Sequence, residues 1–407
     1  MDRANLTIKQ TPLNQLSKTD WEAVVVGAGP AGSSAARALA KQGHEVLLID
    51  KAVFPRRKVC GDGLIADSIE YLKSEGLYEQ IASEANLSNQ ASIISPSGYS
   101  FNCPGRFMVL KRERLDHLLV SYAVDLGAEF AQGGIKNLRY SSDGSIKLSV
   151  DGENYPIKTQ YLIITTGGNT TLAVKAGLGG KVSPYAFAMG RYLKSSYSLP
   201  NLILQFDSRI LPGYAWVWPM GDGLYNIGAG ATFRAGAKAG KLAQQVLDSF
   251  LTENEIGKAL LKDGEYLNDI KGAPLRCNLV GAKQYDGRRI LAAGETIGTT
   301  YSFTGEGIGK AMATGRLAGE TIAKALEAGR DDLLARYEPI IKSEIAPKYR
   351  TYQIAENWFS RVWSNDLICR RLGKSDYLLN KFAELADDRA SISMTGALFS
   401  FLRSFVR

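Results

Sequence analysis

Histidine is close to absent from this chain: His44 and His117 are the only two in 407 residues. Hydrolysis by a Ser-His-Asp triad and metal binding through imidazoles therefore have almost nothing to work with. Cysteine is sparse as well. Cys60, Cys103, Cys277 and Cys369 lie far apart and form no Cys-x-x-Cys pair. Neither a zinc cage nor a disulfide framework is expected, and a reducing compartment fits the pattern. No apolar run approaches the ~18 residues of a membrane span, and residues 1–20 are polar, without the apolar core of a signal peptide. The expectation is a cytoplasmic protein, soluble or peripheral to a membrane. Lys and Arg number 49 against 41 Asp and Glu, a net charge of +8, yet no block of five or six basic residues occurs. The excess reads as solvated surface, with a phosphate-bearing ligand or a membrane surface as the lesser reading. Nucleic acid is not expected as a partner.

Glycine, by contrast, is in excess. There are 42, about one residue in ten against an average of ~7%, which suits tight turns and places where backbone approaches a ligand. Hydrophobic residues at 45% and charged residues at 22% are ordinary for a globular protein. At ~150 residues per domain, the length suits two or three.

Along the chain, residues 1–20 read as a weakly ordered leader. A short β-branched run at 22–27, a Gly-rich turn, a helical pattern over 31–42 and a buried strand at 44–50 make a βαβ unit. Residues 64–88 look helical, and 108–127 read as a short strand continuing as a helix. Asp-Gly pairs at 143–144 and 151–152 punctuate an antiparallel meander over 136–165. The stretch 183–280 is strand-rich. A strand at 289–293, a Gly-rich loop and a long helix over 305–328 follow, then a helical remainder. This order predicts an α/β fold, a discontinuous nucleotide-binding domain with a substrate domain inserted.

Gly27-Ala-Gly29-Pro-Ala-Gly32 follows a strand and opens a helix, and Asp50 closes the next strand. That context gives the glycines their meaning. Gly27 permits the turn, Gly29 lets backbone approach a pyrophosphate, and Gly32 allows close helix–strand packing. The helix start offers free N–H groups and the positive end of its dipole. Asp50 suits ribose hydroxyls and disfavours a 2′-phosphate, which selects FAD or NAD over NADP. A second Gly-rich element decides for FAD. Gly294-Glu295 ends a strand, and Gly305-Glu306-Gly307-Ile308 opens a long helix whose N-terminus suits an electron-rich ring. Glu306 is read as a helix cap, with a general acid as the lesser reading.

These features resemble the flavoproteins of the para-hydroxybenzoate hydroxylase-like fold, and within them the geranylgeranyl reductase family. The narrow marker is Pro55-Arg56-Arg57-Lys58-Val-Cys60-Gly61, similar to that family's Pro-Arg-x-Lys-x-Cys-Gly signature. Tyr214-Ala-Trp216-Val-Trp218-Pro219 is similar to its Tyr-x-Trp-x-Phe-Pro motif, and Arg112 with Leu115-Asp116 to its Arg-x-x-Phe-Asp helix start. Three positions depart from the pattern. Glu295 replaces an Asp, Tyr301-Ser302-Phe303 stands where a Pro is usual, and Thr165-Thr-Gly167-Gly168 replaces Ala-Asp-Gly.

The resemblance implies a glutathione reductase-like, Rossmann-type FAD-binding domain over 21–90, 105–182 and 283–330. An antiparallel β-sheet substrate domain over 91–104 and 183–282 and a helical C-terminal region over 331–407 complete it. It also implies that Pro30, Ala31, Lys51, Arg57, Cys60, Gly61, Arg112, Gly294, Gly305, Gly307 and Ile308 join Gly27, Gly29, Gly32, Asp50 and Glu295 around FAD. Cys60 is expected near the flavin ring as a proton donor or redox-sensitive thiol, its pKa lowered by Arg56, Arg57 and Lys58, or else as a small residue shaping the loop. Period two places Tyr214, Trp216 and Trp218 on one face of a strand, as an aromatic wall over flavin and substrate. The implied activity is reduction of carbon–carbon double bonds in a geranylgeranyl or polyprenyl lipid or quinone side chain. NAD(P)H or an electron-transfer protein is the expected reductant. The alternative is a flavin-dependent monooxygenase or halogenase acting on an aromatic or carrier-bound substrate. The apolar segment 391–407, with Arg403 and Arg407, is read as a membrane-surface contact or as packing on the protein or a second subunit.

Overall fold

The computed structural model describes residues 8–150, 153–180, 182–233 and 238–386. The Asp-Gly pair at 151–152 and the C-terminal segment 391–407 lie outside them. Two sheets organise the chain. The first has a parallel core in the order Glu129–Gln132, Val46–Asp50, Asp20–Val26, Glu153–Ile164 and Ile290–Ala292. Its central strands are continuous apolar runs, and Val24, Val25, Leu47, Leu48, Leu162, Ile163 and Leu291 are fully buried. That is the signature of strands covered on both faces. The expected meander is present: Ile135–Tyr140, Ile146–Val150 and the first half of Glu153–Ile164 pair antiparallel at one side.

Two helices lie close together against this sheet. Pro30–Lys41 and Ile308–Ala328 are rich in Ala and Gly on the faces that meet. A Cβ on Gly315 would lie 2.0 Å from the Ala31 carbonyl oxygen, and one on Gly319 2.5 Å from that of Ala35. The crossing depends on having no side chain there.

The second sheet has nine strands. Its order is Glu265–Tyr266, Ala186–Lys194, Leu224–Thr232, Tyr214–Pro219, Leu202–Phe206, Asn86–Ile94, Ser100–Val109 and Gly63–Leu64, with Lys271–Leu275 also on Ala186–Lys194. It therefore reaches beyond 91–104 on both sides. One face packs on the helices Ala239–Glu253 and Glu255–Leu261, where Ala215, Val217 and Ile227 meet Val246, Leu247 and Phe250. The other faces the first sheet across a cleft. The helices Ala346–Phe359, Val362–Leu372 and Asp376–Ala386 close one end through an aromatic cluster that includes Phe206, Phe303, Tyr349, Tyr352 and Phe359.

Three local expectations need correction. Residues 64–88 are two short helices, Ala66–Ser74 and Tyr78–Ala82, and the chain already enters a strand at Asn86. The stretch 183–280 contains a helix pair, whose apolar residues Val246, Leu247, Phe250 and Leu251 follow a helical period. From residue 8 the leader is packed: Leu13 and Leu16 are buried, and Thr11–Pro12 pairs with Ala131–Gln132. Among the described residues no helix is long and apolar enough to cross a membrane.

Candidate active site

The cleft between the sheets holds a cavity of about 1020 Å³. Its first wall is the glycine fingerprint. Gly27 has φ +109°, and a Cβ there would lie 2.3 Å from the Thr165 carbonyl oxygen. Thr165 bridges back, its hydroxyl donating to the Val26 and Gly27 carbonyls at 2.9 and 2.8 Å. Gly29 precedes Pro30 at the first helical position, so the first-turn N–H groups, which have no partner within the helix, open onto the cavity. Gly32 and Gly294 do not line it. A Cβ on Gly32 would lie 1.7 Å from the Gly27 carbonyl oxygen, and one on Gly294 2.7 Å from the Ala31 Cβ. Both are packing positions that let other groups face the cavity.

Asp50 accepts from the Ala28 and Ala52 N–H groups at 2.9 and 3.0 Å. A carboxylate has about four acceptor sites, so capacity remains for a hydroxyl pair. The cation beside it is Arg56, with Nε 3.5 Å from Asp50 and Nη1 3.1 Å from Asp116. Arg57 points instead toward the Tyr192 ring, 5.7 Å away, and Lys51 is exposed at the cavity rim. Arg112 lies deeper and is bidentate to Asp116 at 2.8 and 3.0 Å. Arg56 and Arg112 thus share the fully buried Asp116, and both line the cavity.

The signature loop is anchored by Asp62, the middle residue of a Gly-Asp-Gly turn. It adopts φ +62° and is fully buried. Its carboxylate accepts from the Arg112 N–H at 3.0 Å, the Tyr192 hydroxyl at 2.6 Å and Asn226 Nδ2 at 2.8 Å. Burial pushes its pKa up, and these donors oppose the shift. Asn226 also donates to the Cys60 carbonyl at 3.0 Å and accepts from the Trp216 indole at 2.9 Å. One Asn therefore ties the loop to the aromatic strand. The sequence reading missed both residues. The glycines on either side of Asp62 signal a turn there, and nothing local marks Asn226.

Cys60 lines the cavity beside Arg112. Burial pushes its thiol above the ordinary range, and the Arg112 guanidinium opposes this. The expected lowering by Arg56, Arg57 and Lys58 does not occur; Arg56 and Arg57 face other partners. Tyr214, Trp216 and Trp218 share the cavity face of their strand, while Ala215 and Val217 point into the opposite core. The alternation is as expected. Trp216 lies across Gly228, where a Cβ would approach its ring to 2.2 Å, and Trp218 covers Gly63 at 2.8 Å. The buried Trp218 Nε1 has no partner among the described residues.

The far wall comes from 294–308. Glu295 lies beside Gly167 and Gly168, and Gly305, Gly307 and Ile308 line the cavity at the start of the closing helix. Glu306 caps that helix, accepting from the Gly309 N–H at 2.7 Å and from Ser68 at 3.0 Å. Burial, then the neighbouring Asp67 charge, pushes its pKa up to about 8. Lys310 pairs with Asp67 at 3.2 Å, and its charge partly opposes the rise at Glu306.

The residues present fit a dinucleotide. Glycine turns with no room for a Cβ, two helix N-termini aimed into one cleft and a ribose-type carboxylate all meet in a single cavity.

Comparison with known proteins agrees. The FAD binding domain family matches residues 20–343. Digeranylgeranylglycerophospholipid reductase 2 of Methanopyrus kandleri is 29% identical over 88% of this chain and 92% of its own length. A menaquinone reductase of Mycobacterium tuberculosis is 30% identical over 74% and 76%. Among solved structures, a geranylgeranyl bacteriochlorophyll reductase-like protein of Thermoplasma acidophilum superposes with a TM-score of 0.73 at 20% identity, covering 95% of this chain and 96% of that one. A flavin-dependent brominase reaches 0.74 at 19% identity, covering 95% and 98%. At such identities the structural likeness is one of fold. The chain belongs to the FAD binding domain family and is an FAD-dependent oxidoreductase of the geranylgeranyl reductase type.

Proposed function

We propose that this protein saturates carbon–carbon double bonds in the isoprenoid chain of a geranylgeranyl lipid or a prenylated quinone. The observation that carries the reading is the aromatic wall Tyr214, Trp216 and Trp218, which faces the closing helix across one cavity. It offers a long apolar chain a flat surface without committing a charge to it. The named activities of the sequence relatives support the same substrate class.

When bound and reduced, FAD supplies the hydride for one alkene carbon. The protein's contribution is binding, orientation and exclusion of water. Gly27 and Gly29 with the start of the helix Pro30–Lys41 would hold the pyrophosphate, with Pro30 and Ala31 shaping the approach. Asp50, flanked by Lys51, would hold the adenosine ribose. Arg56 would add charge to the phosphates, and Arg57 and Arg112 would border the middle of the cofactor. Glu295 would take a ribityl hydroxyl, and Gly305, Gly307 and Ile308 would bring the second helix N-terminus to the ring edge. Cys60 and Gly61 would lie against the ring, Cys60 as a neutral thiol. The cofactor unit would comprise 21–90, 105–182 and 283–330. Reducing equivalents would come from NAD(P)H or an electron-transfer protein, and the lipid substrate would draw the protein to a membrane surface from the cytoplasm.

The test is anaerobic. Protein reduced with one equivalent of dithionite is mixed with a geranylgeranyl lipid, and flavin absorbance is followed. Alkene-dependent reoxidation is the expected result. Reoxidation that requires oxygen, with a hydroxylated or halogenated product, overturns the reading.

A further inference from the structure

Apart from the main cavity there is a second one of about 420 Å³, whose lining includes Tyr185, Cys277, Asn278 and Glu356. Ser183, Val280, Gln353 and Asn357 at its margin are exposed, so water reaches it. At its floor Glu356 is 2% exposed. No cation pairs with it among the described residues. Its two carboxylate oxygens are held by hydroxyls, Oε1 by Tyr185 and Oε2 by Ser302. Ser302 also lines the main cavity, next to Phe303 and Thr304.

This arrangement is costly as pure scaffolding. Burying a carboxylate without a counter-ion carries a desolvation penalty. A Gln could meet both hydroxyls, accepting from one and donating to the other, without that penalty. What Gln lacks is an exchangeable carboxyl proton. The surroundings also hold the three groups still. Tyr349 and Tyr352 precede Glu356 by seven and four residues on one helix face. Tyr349 donates to the Thr299 carbonyl at 2.6 Å, and Tyr352 stacks on Tyr301 with centroids 4.0 Å apart. The helix Ala346–Phe359 thereby fixes the loop that carries Ser302. Beside the second cavity the Asn278 Oδ1 is buried with no partner among the described residues.

We propose that Tyr185, Glu356 and Ser302 form a proton conduit from water in the second cavity to the wall of the main one. The proposal rests on the reductase reading above. One alkene carbon takes hydride, with its two electrons, from the reduced cofactor. The other takes H⁺ from the Ser302 hydroxyl, which is refilled from the Glu356 carboxyl. Glu356 is recharged from solvent through Tyr185. Each double bond saturated consumes one solvent proton, the alkene gains two electrons and the cofactor loses two. Ser302 is the donor; Glu356 and Tyr185 act through it.

The experiment uses the full chain with FAD bound. Wild type, Glu356→Gln, Glu356→Asp, Ser302→Ala and Tyr185→Phe are pre-reduced anaerobically and mixed with geranylgeranyl lipid in detergent. Alkene-dependent reoxidation is expected to slow ~10²-fold in Glu356→Gln and Ser302→Ala, the lower end for a positioned proton donor. Glu356→Asp should recover part of the loss, and FAD affinity and reoxidation by oxygen should stay at wild-type values. Infrared spectra without substrate give a second readout. A carboxyl or carboxylate band lost in Glu356→Gln should shift at once on transfer to D₂O, and more slowly in Tyr185→Phe. Wild-type rates in Glu356→Gln and Ser302→Ala, or a band that does not exchange, overturn the conduit. Wild type that leaves the lipid unchanged overturns the reductase reading and, with it, Ser302 as donor, even where the band exchanges.

Discussion

Glu306 illustrates how one buried side chain sets a pH response. Its pKa is raised to about 8 by burial and by Asp67, against an ordinary value of 4.5. For a carboxyl raised on folding, the native state binds the proton more tightly than the unfolded chain. Its stabilising contribution is complete below about 4.5 and is lost as pH rises through about 8. Glu306→Gln keeps the acceptor for the Gly309 N–H and removes the titration. Thermal melts from pH 5 to 9 should therefore fall more steeply for wild type than for Glu306→Gln; equal slopes would contradict the assignment. Cys60 answers to the same physics with the opposite consequence. A thiol raised by burial is mostly neutral near pH 7, and neutral thiols react slowly. Cys60 should be modified by iodoacetamide at pH 7 more slowly than free cysteine. Faster modification would restore the reactive-thiolate reading.

At the scale of elements, the helix pair Pro30–Lys41 and Ile308–Ala328 determines where two N-termini point. Gly315→Ala places a methyl against the Ala31 carbonyl, a backbone atom that cannot step aside. Overpacking of this kind costs roughly 1–3 kcal/mol, and here it also displaces the fingerprint turn. A lower melting temperature together with weaker FAD binding is expected; a loss of stability with unchanged FAD affinity would separate the crossing from the site. Much of this level was legible in the sequence. Gly27, Gly29 and the Tyr214–Trp218 alternation are dictated by backbone conformation and by period two, which are local. The helix Ala239–Glu253 carries a helical period that its strand-rich surroundings outweigh. Asp62, Asn226, Arg56 and Glu356 were not legible as partners, because what defines them is contact across long stretches of chain. Asn226 meets Asp62 164 residues away, and Glu356 meets Tyr185 171 residues away. Of Arg56 and Arg57, adjacent in one motif, only the fold distinguishes which faces the fingerprint.

For the molecule as a whole, each layer contributes one wall. The parallel sheet supplies the turn at Gly27, the second sheet supplies the aromatic strand, and the C-terminal helices brace the loop 299–305 from behind. In the sequence that last region reads only as a helical remainder, yet it positions Glu356 and stacks Tyr352 on Tyr301. The central claim is that this assembly reduces isolated alkenes. Its most direct test is the mass of the lipid after anaerobic turnover with excess reductant. The account predicts a gain of two hydrogens for each double bond saturated, and in D₂O two deuteriums per bond, because the hydrogen that reduced FAD transfers also exchanges with solvent. A recovered lipid of unchanged mass, or one that has gained oxygen or halogen when air is admitted, would contradict it.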